Sequence, residues 1–290
     1  MILSVLLTSC KKSDSEKTLE AETKLNVSYG SNSLQNMDVY LPANRNAETK
    51  VIVFVHGGSF IEGDKSVYTT TVAELVKRNY AVVNINYRLV DGSNLEIRKQ
   101  STVSVLNQVD DLSLAIDYTL AHADEWKVSR SKVAVVGHSA GATLGLLYGY
   151  GTKNTGKVKV VVNLAGALDQ TFTDIPNFNF LPAPVLEFGY RLTGYEVNLA
   201  NEQFYKAISP LYAANANQKI PTLTIFPQNN VVLGFPKQDR STFDAFTDKL
   251  VALQVPNKFV QIPNADHSFT SAVSLQLMFV ELLAYLNANL

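Results

Sequence analysis

The chain has 290 residues, of which 46% are hydrophobic and 18% charged, a balance and length suited to one large α/β domain or two small ones. Its formal net charge of −1 creates no global field that would draw nucleic acid or anionic lipid, and no local basic patch stands in for one. A single cysteine, Cys10, rules out a disulfide within the chain.

Residues 1–9 are almost wholly apolar, and Leu7-Thr8-Ser9-Cys10 resembles a bacterial lipobox, although no basic residue precedes the cysteine. Nine apolar residues are too few for a membrane-spanning helix. The resemblance implies a signal segment over 1–10 and a lipid anchor on Cys10, hence a membrane-tethered or secreted protein of the bacterial envelope. Residues 11–24 are charged and lack aromatics, as expected of a solvated tether. The rest, 25–290, reads as a single domain.

Short β-branched runs then alternate with helical patterns, the signature of a mostly parallel sheet of about eight strands with helices on both faces. Strands are expected over 25–29, 36–40, 51–55, 81–87, 133–136, 158–164, 221–226 and 258–262. Several are unbroken apolar runs, as in strands buried on both faces. Helices are expected over 70–78, around Val109, Leu112, Ile116 and Leu120, over 140–148, around Phe243, Phe246 and Leu250, and over 277–286. An aromatic-rich insertion over 172–194 is either a small cap above a pocket or packing onto the core.

Gly137-His138-Ser139-Ala140-Gly141 falls between a predicted strand and a predicted helix, the setting that a nucleophile elbow requires. Ser139 would then project above the sheet, with the Ala140 amide facing the same space. His56-Gly57-Gly58-Ser59 follows another buried strand, and such glycines let backbone amides approach a developing oxyanion closely. Of the four histidines, His56 and His138 belong to these motifs. His122 sits near the end of a helix, as a capping or solvated residue would. His267, after the last strand, remains as the base for Ser139.

These motifs, with Met37-Asp38-Val39-Tyr40-Leu41-Pro42 and Asn86-Tyr87-Arg88-Leu89, resemble the esterase/lipase branch of the α/β-hydrolases. The likeness is to its acetyl-xylan and feruloyl esterases and to kynurenine-formamidase-like enzymes. The resemblance covers about residues 35–290. It implies an oxyanion hole from Ala140 and residues Gly57, Gly58 and Ser59, and a structural role for Tyr87 and Arg88, with Asp110 or Asp111 pairing the arginine. It also implies an ester substrate handled through an acyl-enzyme without cofactor or metal.

One position departs from the family pattern. A glycine followed three residues later by an aspartate is expected after the seventh strand, but Pro227 and Asn230 stand there. Three residues compete as the partner of His267: Asp239, favoured because it lies in the correct loop, Asn230 itself, and Asp169 after the sixth strand. An asparagine orients an imidazole but cannot balance its positive charge. The Asp-to-Asn change in a serine protease costs about four orders of magnitude in turnover. The rival expectation is therefore a degenerate hydrolase that binds a glycan or a protein.

Overall fold

The computed structural model describes residues 19–232 and 237–290. The expected signal segment with Cys10 lies outside them. The strands are β1 (Glu22–Ser28), β2 (Asn36–Leu41), β3 (Val51–Val55), β4 (Ala81–Ile85), β5 (Val133–His138), β6 (Val160–Leu164), β7 (Thr222–Asn229) and β8 (Asn257–Asp266). The helices are α1 (Thr69–Lys77), α2 (Val105–Ala121), α3 (Ala123–Trp126), α4 (Ala140–Tyr150), α5 (Ala183–Thr193), α6 (Glu202–Ala207), α7 (Pro210–Ala213), α8 (Arg240–Ala252) and α9 (Ala272–Asn289).

The strands form one sheet in the order β1-β2-β4-β3-β5-β6-β7-β8. The β1–β2 and β2–β4 pairs are antiparallel, and every pair from β4 to β8 is parallel. This is the α/β-hydrolase fold. Alternation along β3 explains the two-sided core. Val51, Val53 and Val55 face Leu112 and Ile116 of α2, Leu144 of α4, and Phe243 and Phe246 of α8. Ile52 and Phe54 face the opposite layer, with Val72 and Leu75 of α1 and Met278, Leu282 and Leu286 of α9. Strands covered on both faces need apolar residues at every position, which is why these runs are unbroken.

The N-terminal boundary of the sheet differs from the sequence reading. The charged stretch expected as tether to residue 24 already joins the sheet at Glu22, where Glu22, Thr23 and Lys24 pair with Leu41, Tyr40 and Val39. β1 is an edge strand, so its charged side chains remain in solvent and do not oppose pairing. The insertion at 172–194 contains α5 and is clasped to the segment before α2. Buried Arg191 donates to the carbonyls of Asp91 (3.0 Å), Asn94 (3.1 Å) and Ile97 (2.8 Å) and to Glu187 (2.6 Å). Phe172 and Phe188 are buried, and Phe172 meets Tyr205 edge-on.

The parallel strands bring their carboxyl ends to one rim, where ligands of open α/β sheets bind. The turns after β3, β5, β7 and β8 all open there.

Candidate active site

Ser139 follows β5 with φ 52° and ψ −124°, a strained conformation for a residue with a side chain. Glycines make the turn possible. A Cβ on Gly137 would lie 2.3 Å from the Gly141 carbonyl oxygen, and one on Gly141 would lie 2.3 Å from the Val55 carbonyl oxygen. The Ser139 amide is tied to the Leu164 carbonyl at 2.8 Å, fixing the turn to the neighbouring strand. Ala140 opens α4, so its amide has no acceptor within the helix, and the residue lines the recess beside Ser139.

The loop after β3 is held from several sides. The Tyr87 hydroxyl donates to the His56 carbonyl (2.9 Å), and its ring stacks on the imidazole at 4.2 Å. Gln108 donates to the Phe60 carbonyl (2.7 Å). Gly58 has φ +123°, and a Cβ there would lie 2.1 Å from the Glu62 carbonyl oxygen. Gly57 departs from the expected oxyanion role, because its amide donates to the Tyr68 hydroxyl at 3.3 Å. Among the described residues no acceptor meets the amides of Gly58 and Ser59.

His267 follows β8 in a turn fixed by Asp266, which accepts from the Thr270 amide at 2.9 Å. Its Nε2 lies 2.9 Å from Ser139 Oγ, and its Nδ1 lies 2.7 Å from Asn230 Oδ1. Asn230 is buried, and its Nδ2 donates to the Gln238 carbonyl at 2.8 Å. That carbonyl only accepts, so the amide nitrogen must face it and Oδ1 must face the imidazole. Nδ1 of His267 therefore carries the hydrogen, and Nε2 offers its lone pair to the serine hydroxyl. A base in this orientation is what proton removal from Ser139 requires.

The favoured acid, Asp239, does not reach His267. It caps α8, accepting from the Thr242 amide (3.2 Å) and the Ser241 hydroxyl (2.8 Å), because a helix's first-turn amides need an acceptor that lies outside the helix. Asp169 is also engaged elsewhere. It accepts from Lys237 Nζ (2.8 Å) and from the Thr171 amide (2.9 Å). Asn230 is the residue that the structure places on the ring. Arg88 pairs with Asp111 at 2.6 Å, while Asp110 pairs with Lys153. His122 closes α2 and bonds the Tyr118 carbonyl at 2.8 Å.

The sequence placed His138 in the elbow but gave no sign of its contacts or of Tyr68. His138, inside the elbow, lies with its Nε2 2.8 Å from the His267 carbonyl and its Nδ1 2.7 Å from the Tyr68 hydroxyl. Since the carbonyl only accepts, Nε2 donates to it, and Tyr68 donates to Nδ1 while accepting from Gly57. One chain of hydrogen bonds thus links the oxyanion loop to the backbone of the base. Burial, then the neighbouring His138 ring, push the His267 imidazole down to about 4, with Asp266 opposing in part. Burial lowers His138 as well. Both rings are neutral near pH 7.

Two cavities meet at Ser139. A narrow recess of about 10 Å³ is lined by Ser59, Phe60, Ala140, Ala167, Val232 and Gln238. An open cleft of about 400 Å³ on the other side includes Glu62, Asp64, Val67, Tyr68, His267 and Ser268. Among the described residues, none of 172–194 lines either cavity. Among the described residues, no group of three or more His, Cys, Asp or Glu side chains is arranged to hold a metal ion.

The sheet order, the strained serine after β5 and the histidine after β8 define the α/β-hydrolase class. Residues 37–230 match the BD-FAE family, and the chain belongs to it. Among curated proteins it is similar to kynurenine formamidase of Salmo salar, 28% identical over 32% of this chain and 33% of that one. It is also similar to the isoprenylcysteine alpha-carbonyl methylesterase of Arabidopsis thaliana, 27% identical over 42% of this chain and 26% of that protein. The matches thus span about a third or less of these two relatives. Among solved structures, a truncated carbohydrate esterase from gut microbiota superposes with a TM-score of 0.70 at 19% identity, covering 94% of this chain and 99% of that one. A bacterial heroin esterase gives 0.69 at 18% identity, covering 93% and 84%.

Proposed function

We propose that the chain is a serine carboxylesterase that hydrolyses short acyl esters through an acyl-enzyme. The observation carrying this reading is the placement of His267 between Ser139 Oγ (2.9 Å) and Asn230 Oδ1 (2.7 Å). His267 Nε2 takes the hydroxyl proton as Ser139 Oγ attacks the ester carbonyl. The oxyanion is met by the amides of Gly58, Ser59 and Ala140. His267 returns the proton to the departing alkoxide, and the C–O bond breaks to leave Ser139 acylated. Water, deprotonated by the same nitrogen, then releases the acid and restores the serine.

The narrow recess beside Ser139 favours a small acyl group such as acetyl over a feruloyl group. The wider cleft suits the alcohol portion, and Glu62 and Asp64 on its wall offer acceptors to hydroxyl groups. Acetyl groups on carbohydrate fit that pairing, and one structural neighbour is named a carbohydrate esterase. A small formamide is the nearest variant of the same chemistry, in keeping with the formamidase relatives. Attachment to the envelope through Cys10 remains part of the proposal. The neutral Asn230 is the one observation that favours the rival, a binding protein with a dead site.

The test is hydrolysis of p-nitrophenyl acetate, butyrate and octanoate alongside methyl ferulate. The reading expects acetate to give the highest kcat/KM and Ser139→Ala to abolish turnover. Activity surviving that substitution refutes it.

A further inference from the structure

The family pattern places a carboxylate behind the histidine, yet this chain places an amide there. An amide has two unlike ends. With Oδ1 towards the ring, His267 keeps its hydrogen on Nδ1 and stays a base at Nε2. With Nδ2 towards the ring, Nδ1 must accept, the hydrogen moves to Nε2, and the nitrogen facing Ser139 is no longer a base. The wrong tautomer is the reason given for the loss of about four orders of magnitude when a protease's aspartate becomes asparagine. An asparagine therefore serves here only if something chooses its orientation.

Gln238 makes that choice through its carbonyl, 2.8 Å from Asn230 Nδ2. The residue before it, Lys237, adopts φ 59°, an uncommon conformation for a lysine. Its side chain is only 15% exposed, and its ammonium donates to Asp169 (2.8 Å) and Thr171 Oγ1 (2.6 Å), with Asp174 closing the other side. Asp169 is itself buried and held by the Thr171 amide and hydroxyl. The turn after β6 thereby grips the chain immediately before the carbonyl that faces Asn230.

We propose that Lys237, clamped by Asp169 and Asp174, is a positioning residue that fixes the Gln238 carbonyl and so selects the productive orientation of Asn230. The carboxylates that sequence alone offers as direct partners of His267 act at one remove. They hold a lysine, the lysine holds a carbonyl, and the carbonyl orients a neutral amide. The inference rests on the serine esterase reading above.

The experiment is a double-mutant cycle between Lys237→Met and Asn230→Asp, measured on p-nitrophenyl acetate. A fluorophosphonate probe first establishes whether wild-type Ser139 is reactive. Lys237→Met is expected to lower kcat at least tenfold with KM unchanged, and Lys237→Arg to restore most of it. A carboxylate has two equivalent oxygens, so in the Asn230→Asp background orientation no longer matters. Lys237→Met should there be neutral, or favourable, since it frees the Gln238 carbonyl to move from the new charge. Equal losses in both backgrounds, or no loss in the wild type, overturn the proposal while leaving the esterase reading intact. An unreactive Ser139 in the wild type removes both. Should Lys237→Met fail to fold, Asp174→Asn weakens the clamp from its exposed side and is expected to lower kcat about threefold, again only when residue 230 is asparagine; the absence of that difference overturns the proposal.

Discussion

Replacing Asn230 with aspartate tests how a neutral partner sets the chemistry of the base. The imidazole now faces an amide oxygen at 2.7 Å and is pushed down to about 4, chiefly by burial. A carboxylate in the same place would put opposite charges about 4 Å apart, worth about 4 kcal/mol at an effective dielectric constant near 20. Two costs oppose this. Position 230 is buried, and the oxygen replacing Nδ2 would face the Gln238 carbonyl with no hydrogen between them. A neighbouring opposite charge typically moves a pKa by about 1–3 units, so His267 should rise to roughly 5–7. The same interaction stabilises the imidazolium of the transition state, at tenfold in rate per unit, so kcat should rise about 10- to 1000-fold. The assay is kcat/KM for p-nitrophenyl acetate from pH 3.5 to 9, whose acid limb reports the base in the free enzyme. An acid limb that stays near 4, with kcat unchanged or lower, would refute the reasoning.

Other substitutions probe the framework. Gly141→Ala should abolish activity and lower the melting temperature, since its Cβ would lie 2.3 Å from the Val55 carbonyl oxygen; an active variant with unchanged melting would show that the elbow tolerates a side chain. Arg191→Met should cost about 3–5 kcal/mol in urea unfolding, because it leaves buried Glu187 without the partner inside its own helix and several carbonyls without donors. A change below 1 kcal/mol would show the clasp to be dispensable. His267 also contributes to the pH dependence of stability. Its folded pKa lies below the unfolded value near 6.5, so the unfolded chain binds more protons between 6.5 and about 4. Wild type should therefore lose stability relative to His267→Gln as pH falls through that window, and parallel curves for the two proteins would contradict this.

The fold was legible in the sequence because burial on both faces of a parallel sheet leaves unbroken apolar runs, and each of the eight expected strands has its counterpart. The approach of Ser139 and His267 was legible for a related reason: parallel strands carry the residues after β5 and β8 to one rim. The partner of His267 was not legible. Asp239 stands in the right loop, but the helix that starts at the next residue, Arg240, claims its carboxylate, and that competition appears only when the start of α8 is known. Asp169 looked like a spare acid because its partner, Lys237, is distant in sequence. Likewise, Gly57 reads as an oxyanion donor until Tyr68 is found against its amide. Side chains that act through long-range contacts leave no local pattern to read.

The central claim is that a serine and a histidine, backed by an uncharged amide, form a working nucleophile. Mass spectrometry after exposure to a fluorophosphonate tests it most directly, comparing wild type with His267→Ala. The account predicts a stoichiometric adduct on the peptide containing Ser139 in the wild type and a loss of labelling rate of at least a hundredfold in the variant. A wild-type protein without adduct, or equal labelling of both proteins, would contradict it.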